Sequence, residues 1–118
     1  AARYGALLGE IELVTLPAVV PGDERSWFVY VVQLDPTVDR DAVMASLQAR
    51  GIGCKPYLPA VHLQDLYRAR GHRPGSMPVC EAVSASTLAL PFHTRLAEAD
   101  QSIVASALGE AVVACRTR

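Results

Sequence analysis

Tyr57, His62 and Lys55 are the side chains whose types and spacing best suit chemistry, and they fall within one run, Gly51 to Gly71, that also holds Tyr67, Arg68 and Arg70. A phenol and an imidazole can orient a ligand through hydrogen bonds, and an ammonium can meet a phosphate or carboxylate. These three are the candidate ligand-binding residues. A packed aromatic near a strand end and a cap at a helix start are the plainer alternative for Tyr57 and His62. Lys55 is the sole lysine, yet as an imine-forming amine it is poorly equipped: Pro56 follows it and no Gly/Ser loop stands beside it to cradle a phosphate.

Other chemistries lack an anchor. The sequence holds no G-x-G-x-x-G, no G-x-x-x-x-G-K-[ST], no G-x-S-x-G and no H-E-x-x-H, which removes nucleotide-loop, serine-hydrolase and zincin readings. Cys54, Cys80 and Cys115 make an odd set without C-x-x-C, which points away from a disulfide framework and towards a reducing, cytoplasmic setting. Cys54, His62 and His72 follow no metal-ligand spacing, so no metal site is expected. A thiolate nucleophile at Cys54 would have only Lys55 nearby in sequence to lower its pKa. No catalytic or cofactor-binding residue is assigned.

Charge is unevenly spread. Residues 1–54 carry four Arg against seven Asp and Glu, whereas residues 55–73 carry Lys55, Arg68, Arg70 and Arg73 against Asp65 alone. The middle of the chain is locally basic, as a solvated helix face or as a site facing phosphate or carboxylate. The net charge of −1 and the absence of any basic stripe interleaved with aromatics argue against nucleic acid.

These residues need elements to hold them. At 118 residues, with 51% hydrophobic and 19% charged side chains, the chain suits one globular domain spanning 1–118, and no apolar run reaches the length of a membrane span. Tyr4, Leu7, Leu8 and Ile11 recur at helical spacing without an N-cap before them, and no initiator Met is present, so the chain is expected to begin within a longer product. Residues 11–20, interrupted by Pro17, allow a short edge strand, and Pro21 to Glu24 a turn. Ser26 to Asp35 reads as a strand, with Phe28, Tyr30, Val32 and Leu34 on one face and Trp27, Val29 and Val31 on the other. Asp39 caps a helix over Arg40 to Arg50 that Gly51 stops. Residues 53–57 suggest a second strand, His62 to Arg70 a short helix, and Met77 to Ser86 a helix capped by Ser76. A strand over Thr87 to Leu90 and a helix over Glu98 to Cys115 complete the chain.

That order specifies an α/β (α+β) two-layer sandwich, with helices mainly on one face of a three- or four-stranded sheet. The 51–71 loop is then aimed by its backbone. Gly51 and Gly53 permit positive φ, while Pro56 and Pro59 fix φ and bias Lys55 and Leu58 towards extended conformations.

The run Gly51-Ile-Gly-Cys-Lys-Pro-Tyr-Leu-Pro-Ala-Val-His-Leu-Gln-Asp-Leu-Tyr-Arg68, followed by Met77-Pro-Val-Cys-Glu-Ala82, Leu90-Pro-Phe-His93 and a final amphipathic helix, resembles the C-terminal domain of the DegT/DnrJ/StrS sugar aminotransferases. The likeness covers nearly the whole chain. Ala60 and Asp65 stand where that family commonly has Pro, and Ala97 where it often has a helix-capping Thr or Ser. The resemblance implies the small C-terminal domain of the aspartate-aminotransferase-like fold, in an enzyme that uses pyridoxal phosphate to move an amino group from glutamate or glutamine to a nucleotide-linked keto-sugar. It further implies that the Schiff-base lysine lies in a large domain absent from this chain and that the intact enzyme is a homodimer. The chain alone would be inactive, and the 57–62 loop, with Tyr57, His62 and Lys55, would face the substrate. The rival expectation is a free-standing, non-catalytic binding module derived from the same fold.

Overall fold

The computed structural model describes residues 1–117. Its helices are α1 (Ala2–Leu8), α2 (Arg40–Ala49), α3 (Asp65–Arg68), α4 (Pro78–Ser86) and α5 (Glu98–Ala114), with a 3₁₀ turn at Val61–Leu63. Its strands are β1 (Val14–Thr15), β2 (Tyr30–Leu34), β3 (Lys55–Pro56) and β4 (Thr87–Leu90). They form one sheet in the order β1-β2-β4-β3, and each neighbouring pair is antiparallel.

Register decides which side chains are buried. Tyr30 lies opposite Leu90 and Val32 opposite Leu88, so the two-residue period of the strands puts these four, with Leu34, on one face. All five are buried there, together with Tyr4 and Leu8 of α1, Val43 and Leu47 of α2, and Leu108 and Val112 of α5. The last helix touches both α1 and α2, which completes the helical layer. The two-layer α+β arrangement expected from the sequence is the one observed. Truncating a fully buried core residue such as Leu88 or Leu108 to Ala removes about 2–5 kcal/mol by the usual cost of core cavities.

Helix ends follow local chemistry. The Asp39 carboxylate accepts from the Ala42 N–H at 3.0 Å and starts α2. Gly51, at φ 76°, ends it: the Gly51 N–H returns to the Gln48 carbonyl and the Ile52 N–H to the Leu47 carbonyl. At the start of α5, Ala97 makes no side-chain capping bond.

Three expectations are corrected. The strand drawn over Ser26 to Asp35 is confined to Tyr30–Leu34. Tyr30 pairs with Leu90, the last residue of β4, and the next partner would be Pro91, which has no N–H to give to a ladder. Trp27 instead stacks on Tyr30 with ring centroids 5.3 Å apart, and Phe28 is exposed. The helix expected over His62 to Arg70 is split by Gln64, whose backbone is extended (φ −70°, ψ 150°), into the 3₁₀ turn and α3. Leu66 is exposed, so no buried apolar stripe supports a longer helix. Ser76 does not cap α4; its hydroxyl donates to the Arg73 carbonyl at 2.7 Å, and Met77 takes the cap position without a side-chain bond.

The second face of the sheet is only partly covered. Val31 of β2 lines an open cavity of about 390 Å³ with Trp27, Phe28, Tyr57 and Val83. No helix among the described residues is long and apolar enough to cross a membrane.

Candidate functional site

Where β3 ends, Tyr57, Leu58 and Pro59 turn the chain into the 3₁₀ segment, and α4 stands opposite. Between them lies an open groove of about 730 Å³ lined by Tyr57, Pro59, His62, Met77, Cys80 and Val83 among others. Pro59 fixes its own φ. Two hydroxyls fix the rest of the loop: Thr87 Oγ1 donates to the Tyr57 carbonyl, and Ser84 Oγ donates to the Leu58 carbonyl at 2.8 Å. Leu58, Val61, Met77, Val79 and Val83 remain exposed along the groove, which makes it an apolar surface open to solvent.

His62 is the polar exception. It is only 5% exposed, and its Nε2 lies 2.9 Å from Glu81 Oε1. Its Nδ1 is buried and has no hydrogen-bond partner. Glu81 is itself held by backbone: the Gly75 N–H donates to both carboxylate oxygens at 2.9 Å and the Met77 N–H to Oε1 at 3.2 Å. Those bonds, the Gly75 amide foremost and His62 next, hold the Glu81 carboxyl below its ordinary range. Gly75 reaches this position at φ 85°, where an L side chain is strained.

The structure therefore brings Tyr57 and His62 to one groove and leaves Lys55 outside its lining. Lys55 sits exposed on the edge strand β3, opposite Ala89 of β4. His62 is a buried, carboxylate-paired ring rather than a cap. Cys54 is buried with its thiol pushed up by that burial, Sγ lying 3.7 Å from the Met44 carbonyl, so it is no activated nucleophile. His72 meets the edge of Tyr67 with ring centroids 6.1 Å apart. No group of three or more His, Cys, Asp or Glu among the described residues is arranged to hold a metal ion.

Glu81 is the residue that reading the sequence misses. It stands in the first turn of α4, where a carboxylate commonly reaches back to free N–H groups, and that was the available signal. Its bond to His62 crosses 19 residues and leaves no local pattern.

As an electrophile-bearing site the groove is incomplete. The one side-chain amine able to form an imine is Lys55, outside the groove, and the lining is almost wholly apolar, without a cradle for a phosphate. The residues present do not fit pyridoxal phosphate as a self-sufficient site, and no step through that group is assigned to this chain.

The family model for the DegT/DnrJ/EryC1/StrS aminotransferase family matches residues 1–109. Over 113 residues the chain is 34% identical to dTDP-4-dehydro-2,3,6-trideoxy-D-glucose 4-aminotransferase of Saccharopolyspora spinosa, covering 95% of this chain and 28% of that protein. The crystal structure of the aminotransferase TlmJ from Streptoalloteichus hindustanus superposes with a TM-score of 0.82 at 29% identity, covering 96% of this chain and 30% of TlmJ. DesV of S. venezuelae, solved in complex with a ketimine intermediate, gives a TM-score of 0.82 at 28% identity over 92% of this chain and 29% of DesV. The chain thus spans less than a third of the length of each of these three relatives.

Proposed function

The chain belongs to the DegT/DnrJ/EryC1/StrS aminotransferase family, and on that footing we propose that it is the small C-terminal domain of a sugar aminotransferase dependent on pyridoxal phosphate. The observation that carries the reading is the groove itself. An apolar opening of about 730 Å³, rimmed by exposed Leu58, Met77 and Val79 around one buried histidine, is the kind of surface that a further domain or a ligand covers. The half-covered sheet face at Val31 meets the groove at Tyr57 and Val83, which line both.

In this reading a large domain, outside this chain, holds the cofactor and its lysine, and the intact enzyme is a cytoplasmic homodimer. The cofactor supplies the electron sink for moving an amino group, from glutamate or glutamine, to a nucleotide-linked keto-sugar. This chain supplies one wall. Tyr57 and His62 orient the sugar by hydrogen bonds, and Lys55, two residues before Tyr57, offers a cation to the ligand's phosphates from beside the groove. The exposed aliphatic rim excludes water once the large domain is in place.

The test is reconstitution. The chain joined to the large domain of a family enzyme should support amino transfer to a dTDP-linked keto-sugar, while the chain alone should support none. A folded chain that docks on no large domain and restores no transfer would contradict the proposal and favour a free-standing binding module.

A further inference from the structure

His62 and Glu81 form a pair whose two ends differ in kind. The Glu81 carboxylate accepts three N–H groups, from Gly75, Met77 and the His62 ring. As a carboxylate it has no proton to give, so Nε2 must be the donor in the 2.9 Å contact. In the neutral ring that leaves Nδ1 with a lone pair, and Nδ1 is the one buried side-chain N or O atom without a partner among the described residues. An unpaired buried acceptor costs stability in the isolated chain. It lies in a residue that lines the groove, as Tyr57 and Cys80 do.

We propose that Glu81 is a positioning residue for His62: pinned by the Gly75 and Met77 amides, it takes the Nε2 hydrogen bond and sets Nδ1, closed to solvent in the isolated chain, as the acceptor that a hydroxyl or amino group of the ligand meets once the side chains over it part. The local fold is built to that end. Gly75 adopts φ 85° and directs its N–H at both carboxylate oxygens, so the carboxylate is fixed before it meets the ring. The ligand half of this inference rests on the sugar-aminotransferase reading, whereas the tautomer of His62 does not.

Long-range ¹H–¹⁵N correlation of the imidazole in the labelled chain reads the tautomer directly. The wild-type ring should be a single species, protonated at Nε2 with a lone pair at Nδ1. Glu81→Gln keeps an acceptor oxygen and should keep that tautomer; Glu81→Ala should give a mixture. A wild-type ring protonated at Nδ1, or an unchanged tautomer in Glu81→Ala, overturns the proposal, and the wild-type spectrum decides even if the Ala variant does not fold. In the reconstituted enzyme, Glu81→Ala and His62→Ala should each lower kcat/KM by about tenfold or more, and the double variant should lose no more than either alone. Additive losses overturn the ligand half. The Nε2 tautomer in a chain that supports no amino transfer would uphold Glu81 as the holder of the ring and remove the aminotransferase reading alone.

Discussion

Thr87 donates its hydroxyl to the carbonyl of Tyr57, so the first residue of β4 fixes the residue at the mouth of the groove. Thr87 is only 6% exposed, and the bond it makes to the Tyr57 carbonyl is partly buried. Sheet and site are joined at that bond, and Ser84 of α4 repeats the device one residue on, at Leu58.

Replacing Thr87 by Val keeps the volume and removes the donor. Thr87→Val should lower stability by about 0.5–1.5 kcal/mol, the usual net worth of such a partly buried hydrogen bond, and Thr87→Ser should recover most of it. Equilibrium denaturation of both variants checks this, and equal stability of Val and Ser forms would contradict it.

Stability should fall at both ends of the pH scale. Glu81, held by Gly75 and His62, Asp35, held by Thr37, and Glu110, held by Arg50, all have pKa values below their unfolded ones. A depressed carboxyl stabilises the fold above its unfolded pKa, so this contribution is present at neutral pH and is lost as pH falls below about 4.5 for the glutamates and 3.8 for Asp35. Tyr4 is opposite in sign. Burial raises it from 10.0 to about 12, and its hydroxyl donates to the Pro91 carbonyl at 2.8 Å. Its contribution is full below pH 10 and should decline by about 1.4 kcal/mol per unit as pH rises towards 12. Thermal melts across pH test both limbs, and Tyr4→Phe should make the alkaline one shallower, leaving the part due to Tyr30, which burial also raises.

Much of this fold was readable in the sequence, because its signals are local. The alternation of Tyr30, Val32 and Leu34 gave the buried face of β2, and Asp39 and Gly51 bounded α2 through their own backbone chemistry. The missed features depend on contacts distant in sequence. Trp27 and Phe28 have the composition of a strand but lie beyond Leu90, where Pro91 ends the ladder. Glu81 displaced Ser76 as the group serving the free N–H groups ahead of α4, and its pairing with His62 has no sequence period. Tyr57 and His62 stand close enough in sequence to share one loop, and both line the groove, whereas Lys55, two residues before Tyr57, stays on the edge strand outside that lining, a separation no local pattern states.

The chain mixed with pyridoxal phosphate should form no stoichiometric imine. Lys55 is exposed on an edge strand without a phosphate cradle, so its reaction should match that of any surface amine. Borohydride reduction followed by peptide mapping checks it; a stoichiometric adduct at Lys55 would contradict it.

In the reconstituted enzyme, Tyr57→Phe and His62→Ala should each lose about 1–3 kcal/mol of transition-state stabilisation, seen in kcat/KM per folded molecule. Melting temperatures measured beside the kinetics separate this from a purely structural role. Lowered stability with unchanged kcat/KM in both variants would return the two residues to packing.

The docking of a large domain on the groove is tested most directly at Cys80, an exposed thiol in the groove lining, with Cys54 buried as an internal reference. Maleimide labelling followed by mass spectrometry gives its rate in the chain alone and in the chain joined to the large domain of a family aminotransferase. The account predicts rapid labelling of Cys80 in the isolated chain and strong protection when the large domain is present; equal rates in the two would contradict it.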